Sequence, residues 1–291
     1  MRGLASEVRK LGRRAVEVLG DRLAGILMFG SAARPSDFTT KSDVNIVIVV
    51  KDRPKGFRLV ELLYDIDTRL FVSILTLKDL ESLVEAGHPL AHHLCGDSTL
   101  LYYGCEELVE LLSSKPPITE DTLKYLEGAA LANLAVAAQN YLYGLYGESA
   151  SFSYKAVKTA LRLRAAVRGL LPFSDEEVLS FAEQEGLDEA ARALDELSKA
   201  RRGYVGPGEA LKLLDLAAEG VSKAMNIKLA SWSRVLEELC KAGMLSVERV
   251  SVSRAENEGV WVVRAVDTGG LLHEVKVGKE VSVRAVLGER S

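Results

Sequence analysis

The sequence predicts an N-terminal α/β domain, then an all-α helical bundle, then a small C-terminal antiparallel β appendage. Three observations carry this reading. Over the first ~110 residues, apolar patterning alternates between helical spacing and short β-branched runs, which is the order of an α/β unit. The Lys115-Pro116-Pro117 break ends that alternation, and long Ala- and Leu-rich segments follow. Beyond Gly243, four strand-like runs are separated by Gly-containing turns. The boundaries placed on these signals are 1–114, 118–230 and 231–291.

Residues 1–20 read as an amphipathic helix with Leu4, Val8, Leu11 and Ala15 on one side, closed by Gly20. Leu23–Phe29 is a short apolar run bounded by Gly30 and reads as a buried strand. Ser31–Ser42 is small and polar, a turn followed by a short helix or loop. Val44–Val50 is a β-branched run, the pattern of a central strand buried on both faces. Phe57–Asp67 has helical spacing, and Leu70–Leu75 reads as a third strand. Thr76 follows as an N-cap with Asp79 three residues on, the spacing of a capping box.

In the bundle, helices are expected at Asp121–Tyr146, Phe152–Leu170, Asp175–Glu185, Leu187–Arg202 and Pro207–Ala230. Short connections between them imply antiparallel neighbours. The tail opens with a helix at Trp232–Lys241. Strands are then expected at Leu245–Val252, Val260–Val266, Leu271–Val277 and Val281–Val286, with turns at Asn257-Glu258-Gly259 and Gly269-Gly270.

The net charge of -4 gives no global attraction to nucleic acid or an acidic membrane, so any such contact must use a local basic patch. Three widely spaced cysteines without CxxC spacing argue against a disulfide framework and a structural zinc site, and fit a reducing, cytoplasmic setting. No apolar run approaches the ~20 residues needed to span a bilayer. The basic N-terminus lacks the apolar core of a signal peptide. Abundant Arg, Glu and Val with little Gln is the bias expected of a thermophilic source.

The chemistry-bearing motif is Phe29-Gly30-Ser31-Ala32-Ala33-Arg34 after the first strand, with Ser42-Asp43-Val44-Asn45 opening the next strand. This arrangement resembles the signature of the DNA polymerase β-like nucleotidyltransferases: a strand, Gly-Ser, a short helix, then Asp-x-Asp on the following strand. It is most similar to the archaeal and bacterial minimal nucleotidyltransferases, many of which carry a helical bundle of the HEPN or kanamycin-nucleotidyltransferase type. Residues 20–105 carry the match. His88-Pro89-Leu90, Gly96-Asp97 and Leu101-Tyr102 look like the usual end of such a domain, and 118–230 resembles the bundle by helical pattern only. The resemblance implies a mixed sheet, a bound nucleoside triphosphate and Mg²⁺ (or Mn²⁺) as cofactor. It also implies transfer of an NMP, AMP favoured, to an acceptor that the sequence does not name: a small molecule, a protein or an RNA end.

Each matched part has a physical basis. Gly30 has no Cβ, so a triphosphate can approach the backbone. Ser31 can donate its hydroxyl to a phosphate oxygen, and N–H groups at the following helix start attract an anion. Arg34 either adds a positive charge there or faces solvent. In the family, two Asp at alternate strand positions share a face and hold the metal, and a third carboxylate on a neighbouring strand activates the acceptor. Here Asp43 matches the first acid, but Asn45 stands at the second position. The third falls within Phe71–Leu75, where Ser73 is the polar residue. Asp43 with Asn45 can hold one Mg·NTP through the phosphates, since Mg²⁺ often uses only one or two carboxylates. A full two-metal site is not expected. Asp65 and Asp67 are the nearby acids that either substitute or serve as helix-end caps. The loss of two acids leaves a second reading open: a degenerate nucleotide-binding or interaction module, acting as a sensor or as an antitoxin-like partner of a HEPN protein.

His88, His92 and His93 invite a metal reading, but their spacing favours packing roles. The ribonuclease motif of active HEPN proteins needs a His after its Arg, and none occurs between His93 and His273. Lys155, Lys158, Arg162, Arg164 and Arg168 form a basic stretch, read as a solvated helix face or, alternatively, a phosphate-facing wall. Tyr141, Tyr143, Tyr146 and Tyr154 nearby either stack on a base or pack in the core. The C-terminal strands have edges that can pair between chains, which points to a homodimer.

Overall fold

The computed structural model describes residues 2–34, 43–54, 56–64 and 67–286. The chain divides into two compact units, Met1–Tyr125 and Leu126–Ser291. The predicted fold class is met: an α/β unit with a mixed sheet leads into helices and a four-stranded antiparallel sheet.

The first unit opens with α1 (Arg2–Leu19), whose Leu11, Ala15, Val18 and Leu19 are buried. Gly20 takes φ +52, the left-handed conformation that ends a helix without a Cβ penalty. Then come β1 (Leu23–Phe29), β2 (Val44–Val50), α2 (Gly56–Leu63), β3 (Leu70–Thr76), α3 (Leu77–Glu85), α4 (Pro89–Gly96), β4 (Ser98–Tyr103) and α5 (Glu106–Leu112). The sheet order is β3-β2-β1-β4. β2 runs antiparallel to β1 and parallel to β3, and β4 is antiparallel to β1. The helix expected over Phe57–Asp67 spans Gly56–Leu63, and Asp65 lies outside the described residues.

β2 is sandwiched, as its unbroken Val/Ile run requires. Val44, Ile46, Ile48 and Val50 pack beneath α1 and α2 against Leu11, Ala15 and Leu62. Val47 and Val49 pack on the other face against Leu80 of α3, Leu94 of α4 and Leu108 of α5. Each fully buried Val or Ile contributes roughly 1.5–3 kcal/mol. The capping box at α3 forms: Asp79 N donates to Thr76 Oγ1 at 3.0 Å, and Thr76 N donates to Asp79 Oδ2 at 2.9 Å.

The division between the units falls within α6 (Glu120–Leu142). α7 (Tyr146–Val167), α8 (Asp175–Gln184), α9 (Asp188–Ala200), α10 (Pro207–Met225) and α11 (Trp232–Lys241) follow. α7 starts six residues before the expected Phe152, because Gly144 (φ +74) makes the turn. α10 stops at Met225 because Asn226 adopts the left-handed conformation, φ 52. Small residues bring helices close: a Cβ on Gly220 would sit 3.0 Å from Ala193 Cβ and 3.2 Å from Val157.

The antiparallel sheet is β5 (Met244–Ala255), β6 (Glu258–Asp267), β7 (Leu272–Val277) and β8 (Val281–Ala285), in that order. The first hairpin turns at Glu256-Asn257, since Ala255 already pairs with Glu258 and Glu256 takes φ 52. Trp232 of α11 and Trp261 of β6 are both fully buried, with ring centroids 4.9 Å apart. Trp261 Nε1 donates to Ala230 O at 2.9 Å, so the sheet is fastened to the helices by packing and by a satisfied indole.

Candidate functional site

The site is built at one end of the first sheet, where β1 delivers the chain into a tight turn beside the start of β2. Phe29, the last residue of β1, pairs with Asn45 on β2 and with Ser98 on β4. Gly30 follows with φ +72, a conformation that β-carbon-bearing residues rarely adopt. A Cβ there would meet Asn45 Nδ2 at 3.4 Å, an ordinary contact. The backbone conformation, not crowding by the protein, therefore calls for glycine. Gly30–Ala33 form a single 3₁₀ turn, which places Ser31 at the mouth of the site. The stretch after Arg34, expected as a short helix or loop, lies outside the described residues up to Ser42.

Asp43 stands just before β2 and is exposed, and Asn45 is half-buried at its second position. Strand alternation puts both on one face of the sheet. Across the parallel pairing, Phe71 lies opposite Asn45, and Ser73 lies opposite Val47. Both are exposed, Phe71 by 56%. Ser73 is therefore on the correct face but one pair, roughly 7 Å, beyond Asn45. The register position beside Asn45 carries an aromatic ring, not an acid.

The other nearby acids are committed elsewhere. Asp67 accepts from Arg69 N at 2.9 Å, Nε at 3.0 Å and Nη2 at 2.7 Å. The Arg69 hydrogen bonds lower its carboxyl to about 2. This is the turn-forming role of a residue that caps its own loop. Asp97, at the end of α4, accepts from Arg34 Nη1 and lies 3.4 Å from His93 Nδ1. Burial pushes Asp97 upward, but the hydrogen bonds from His93 and Arg34 outweigh it and hold the carboxyl below the ordinary range. The Arg34 side chain is only 20% exposed and Asp97 9%, so this ion pair pins the residue that follows the Gly-Ser turn to the end of α4. The link joins residues 63 apart, and no local pattern in the sequence announces it.

As to metal, no cluster of three or more His, Cys, Asp or Glu suited to a metal ion occurs among the described residues. The donor set of one carboxylate and one carboxamide fits a single Mg²⁺ shared with substrate phosphates and does not fit a two-metal pair. The three histidines of the 88–93 stretch turn to different partners. His88 Nδ1 accepts from Leu90 N at 3.1 Å and its ring lies edge-on to Tyr125. His92 Nε2 is 3.2 Å from Pro117 O, and His93 meets Asp97.

Lys155, Lys158, Arg162 and Arg168 of the basic stretch meet intramolecular partners. Lys158 Nζ donates to Asp175 Oδ1 at 2.6 Å, Tyr154 Oη donates to the same oxygen, and Ser198 Oγ reaches Oδ2 at 3.4 Å. Arg201 lies 3.8 Å from the Tyr154 ring centroid, and Arg168 pairs with Glu185 at 3.1 Å. Burial raises the Asp175 carboxyl, but Lys158, Tyr154 and Arg201 together outweigh it and leave it below the ordinary range. Tyr154 is thus a core residue of the bundle, while Tyr143 is 61% exposed.

No protein-family model and no curated protein matches the chain. Among solved structures it is similar to the spectinomycin adenyltransferase AAD(9) of Enterococcus faecialis, in a complex with ATP and spectinomycin. The TM-score is 0.53 and the identity 14%, over 76% of this chain and 98% of that one. A nucleotidyltransferase-like protein of Exiguobacterium sibiricum aligns over 96% of this chain and 100% of its own at 12% identity, with a TM-score of 0.30 that is too low to carry weight. At such identity the first likeness establishes the fold: the chain has a nucleotidyltransferase fold.

Proposed function

We propose that the first unit binds a magnesium nucleoside triphosphate and transfers its NMP, AMP favoured, to an acceptor. The observation that carries this reading is the juxtaposition of the left-handed Gly30 turn with Asp43 and Asn45 on the adjoining strand. Gly30 and Ser31 cradle the β- and γ-phosphates, the serine by its hydroxyl and the glycine by allowing close approach. Asp43, with the Asn45 carboxamide beside it, holds the ion (Mg²⁺ or Mn²⁺). Such an ion, when bound, neutralises phosphate charge and orients the triphosphate. Arg34 keeps the turn in place through Asp97 and so acts by positioning. ATP is the first nucleotide to try, since the adenyltransferase of the same fold was crystallised with it.

In the reaction the acceptor's nucleophile bonds to the α-phosphorus as pyrophosphate leaves. Phe71 and Ser73 offer no carboxylate to take the acceptor's proton, so the site suits an acceptor whose nucleophile is already ionised, or an acceptor that supplies its own base. That feature also supports the second reading, a degenerate nucleotide-binding or interaction module, as a sensor or an antitoxin-like partner of a HEPN protein. The discriminating experiment incubates the full chain with α-³²P-ATP, Mg²⁺ or Mn²⁺, and candidate small molecules, proteins and RNA ends. Label transfer that disappears in Asp43→Ala supports transfer. ATP binding without any label above that variant supports the degenerate module. As to location, no helix among the described residues is long and apolar enough to cross a membrane, and a cytoplasmic setting remains part of the proposal.

A further inference from the structure

β4 is an edge strand, with β1 on one side and no strand on the other among the described residues. Exposed edges of this kind are templates for pairing, and proteins usually protect them with charge or proline. β4 is unprotected: its sequence is STLLYY, with Leu100, Leu101 and Tyr103 39–54% exposed. Beside it, between α1 and β4, runs a groove of about 450 Å³ whose floor is Ile26, Gly12 and Tyr102 and whose helix wall includes Val8 and Val16. Gly12 sits in the interior of α1, where glycine is less stable than alanine. A Cβ there would touch only Ile26 Cδ1, at 4.0 Å, so packing within the chain does not call for glycine. Its bareness keeps the groove open.

The groove's rim is charged. Arg9, Arg13 and Glu17 line it at i, i+4 and i+8 along one side of α1. None of the three has an ion-pair partner among the described residues, although neighbouring Lys10 pairs with Glu7.

We propose that β4 and this groove form an isologous interface with a second copy of the chain. Antiparallel pairing of β4 with itself continues the sheet through a two-fold axis normal to it. Such an axis keeps both α1 helices on the same side of the sheet and runs them antiparallel. The groove extends along α1 from Val8 to Glu17, so its midpoint lies at Gly12–Arg13. About that midpoint, Arg9 of one copy lies level with Glu17 of the other, twice over. Arg13 approaches its own mate near the axis, so it is the two Arg9–Glu17 pairings flanking that axis, not the rim as a whole, that favour a second copy over a uniformly acidic or basic partner. The apolar side chains of the second copy's β4 and α1 fill the space that Gly12 leaves. β8, the exposed edge of the other sheet, lacks a flanking groove among those described, although all five of its residues are exposed.

The test is the mass of the full chain by light scattering from about 1 to 100 μM. The expected result is twice the 31.6 kDa chain mass. Leu101→Lys is expected to give a monomer with an unchanged circular-dichroism spectrum. Arg9→Glu and Glu17→Arg are each expected to weaken the dimer by tenfold or more, and the double reversal to restore it. Restoration cannot arise from misfolding. A monomer at every concentration overturns the proposal. So does a dimer that ignores the charge reversals, or one abolished by Val283→Lys on β8.

Discussion

At Gly30 the backbone makes a demand that only one residue type meets without strain. With φ +72, a substituted side chain costs about 1–2 kcal/mol even where space is available. Gly30→Ala is therefore expected to lower stability by about that amount and, on the proposed reading, to weaken ATP binding, because the new methyl would stand in the path proposed for the phosphates. Chemical denaturation and calorimetry on the same variant separate the two effects. Asp97 makes a different demand. Its carboxyl is held below the ordinary range by hydrogen bonds from His93 and Arg34, which outweigh its burial. A depressed carboxylate stabilises the fold above the unfolded pKa, about 3.9, and that contribution is lost as pH falls through the folded value. Asp97→Asn is expected to cost roughly 2 kcal/mol at pH 7. The gap in melting temperature between wild type and variant should then close as pH falls below about 4. A gap that is constant with pH would show that the ion pair does not hold the turn. The polarity of the third strand points to Ser73 as the remaining acid position. Pairing register, which the sequence alone does not fix, puts Phe71 opposite Asn45 instead.

Among the elements, β2 governs the first unit. It is sandwiched between two helical layers, and its burial follows from the unbroken Val/Ile run. Ile48→Ala is expected to destabilise the protein by about 2–5 kcal/mol, measured by urea denaturation, since the fully buried side chain leaves a cavity that neighbours fill only in part. A loss under about 1 kcal/mol would mean that the layers collapse onto the strand. Elements with strong local signals were legible from sequence: β2 by composition, α3 by its Thr76/Asp79 box, α1 by its apolar stripe and Gly20 stop. Errors arose where two signals competed. The helix expected from Phe152 starts at Tyr146 because Gly144 makes the turn, and the helix expected to run to Ala230 ends at Met225, where Asn226, a rarer stop than glycine, turns left-handed. The sequence carries no strand signal for β4, since an edge strand with a bulge near Leu101 has no clean alternation.

For the whole molecule, the sequence made legible that an α/β unit with a Gly-Ser turn precedes a helical and β-containing remainder. Composition and punctuation by Gly and Pro carried that much. The Gly30 turn and the Asp43/Asn45 strand start were also legible, because each directly follows or opens a strongly β-branched or apolar run. The links that depend on distant residues were not: Arg34 to Asp97, Trp232 to Trp261, Lys158 to Asp175. Long-range pairing is a property of packing, and no local pattern encodes it. The central claim is that this fold retains a working nucleotide site at Gly30, Ser31 and Asp43 despite the missing acids. Calorimetric titration of Mg·ATP into wild type and Asp43→Ala tests it most directly. Saturable binding to wild type that requires Mg²⁺ and is lost in Asp43→Ala is the expected result. Absence of binding for every nucleoside triphosphate, or binding indifferent to both Mg²⁺ and Asp43, would contradict it.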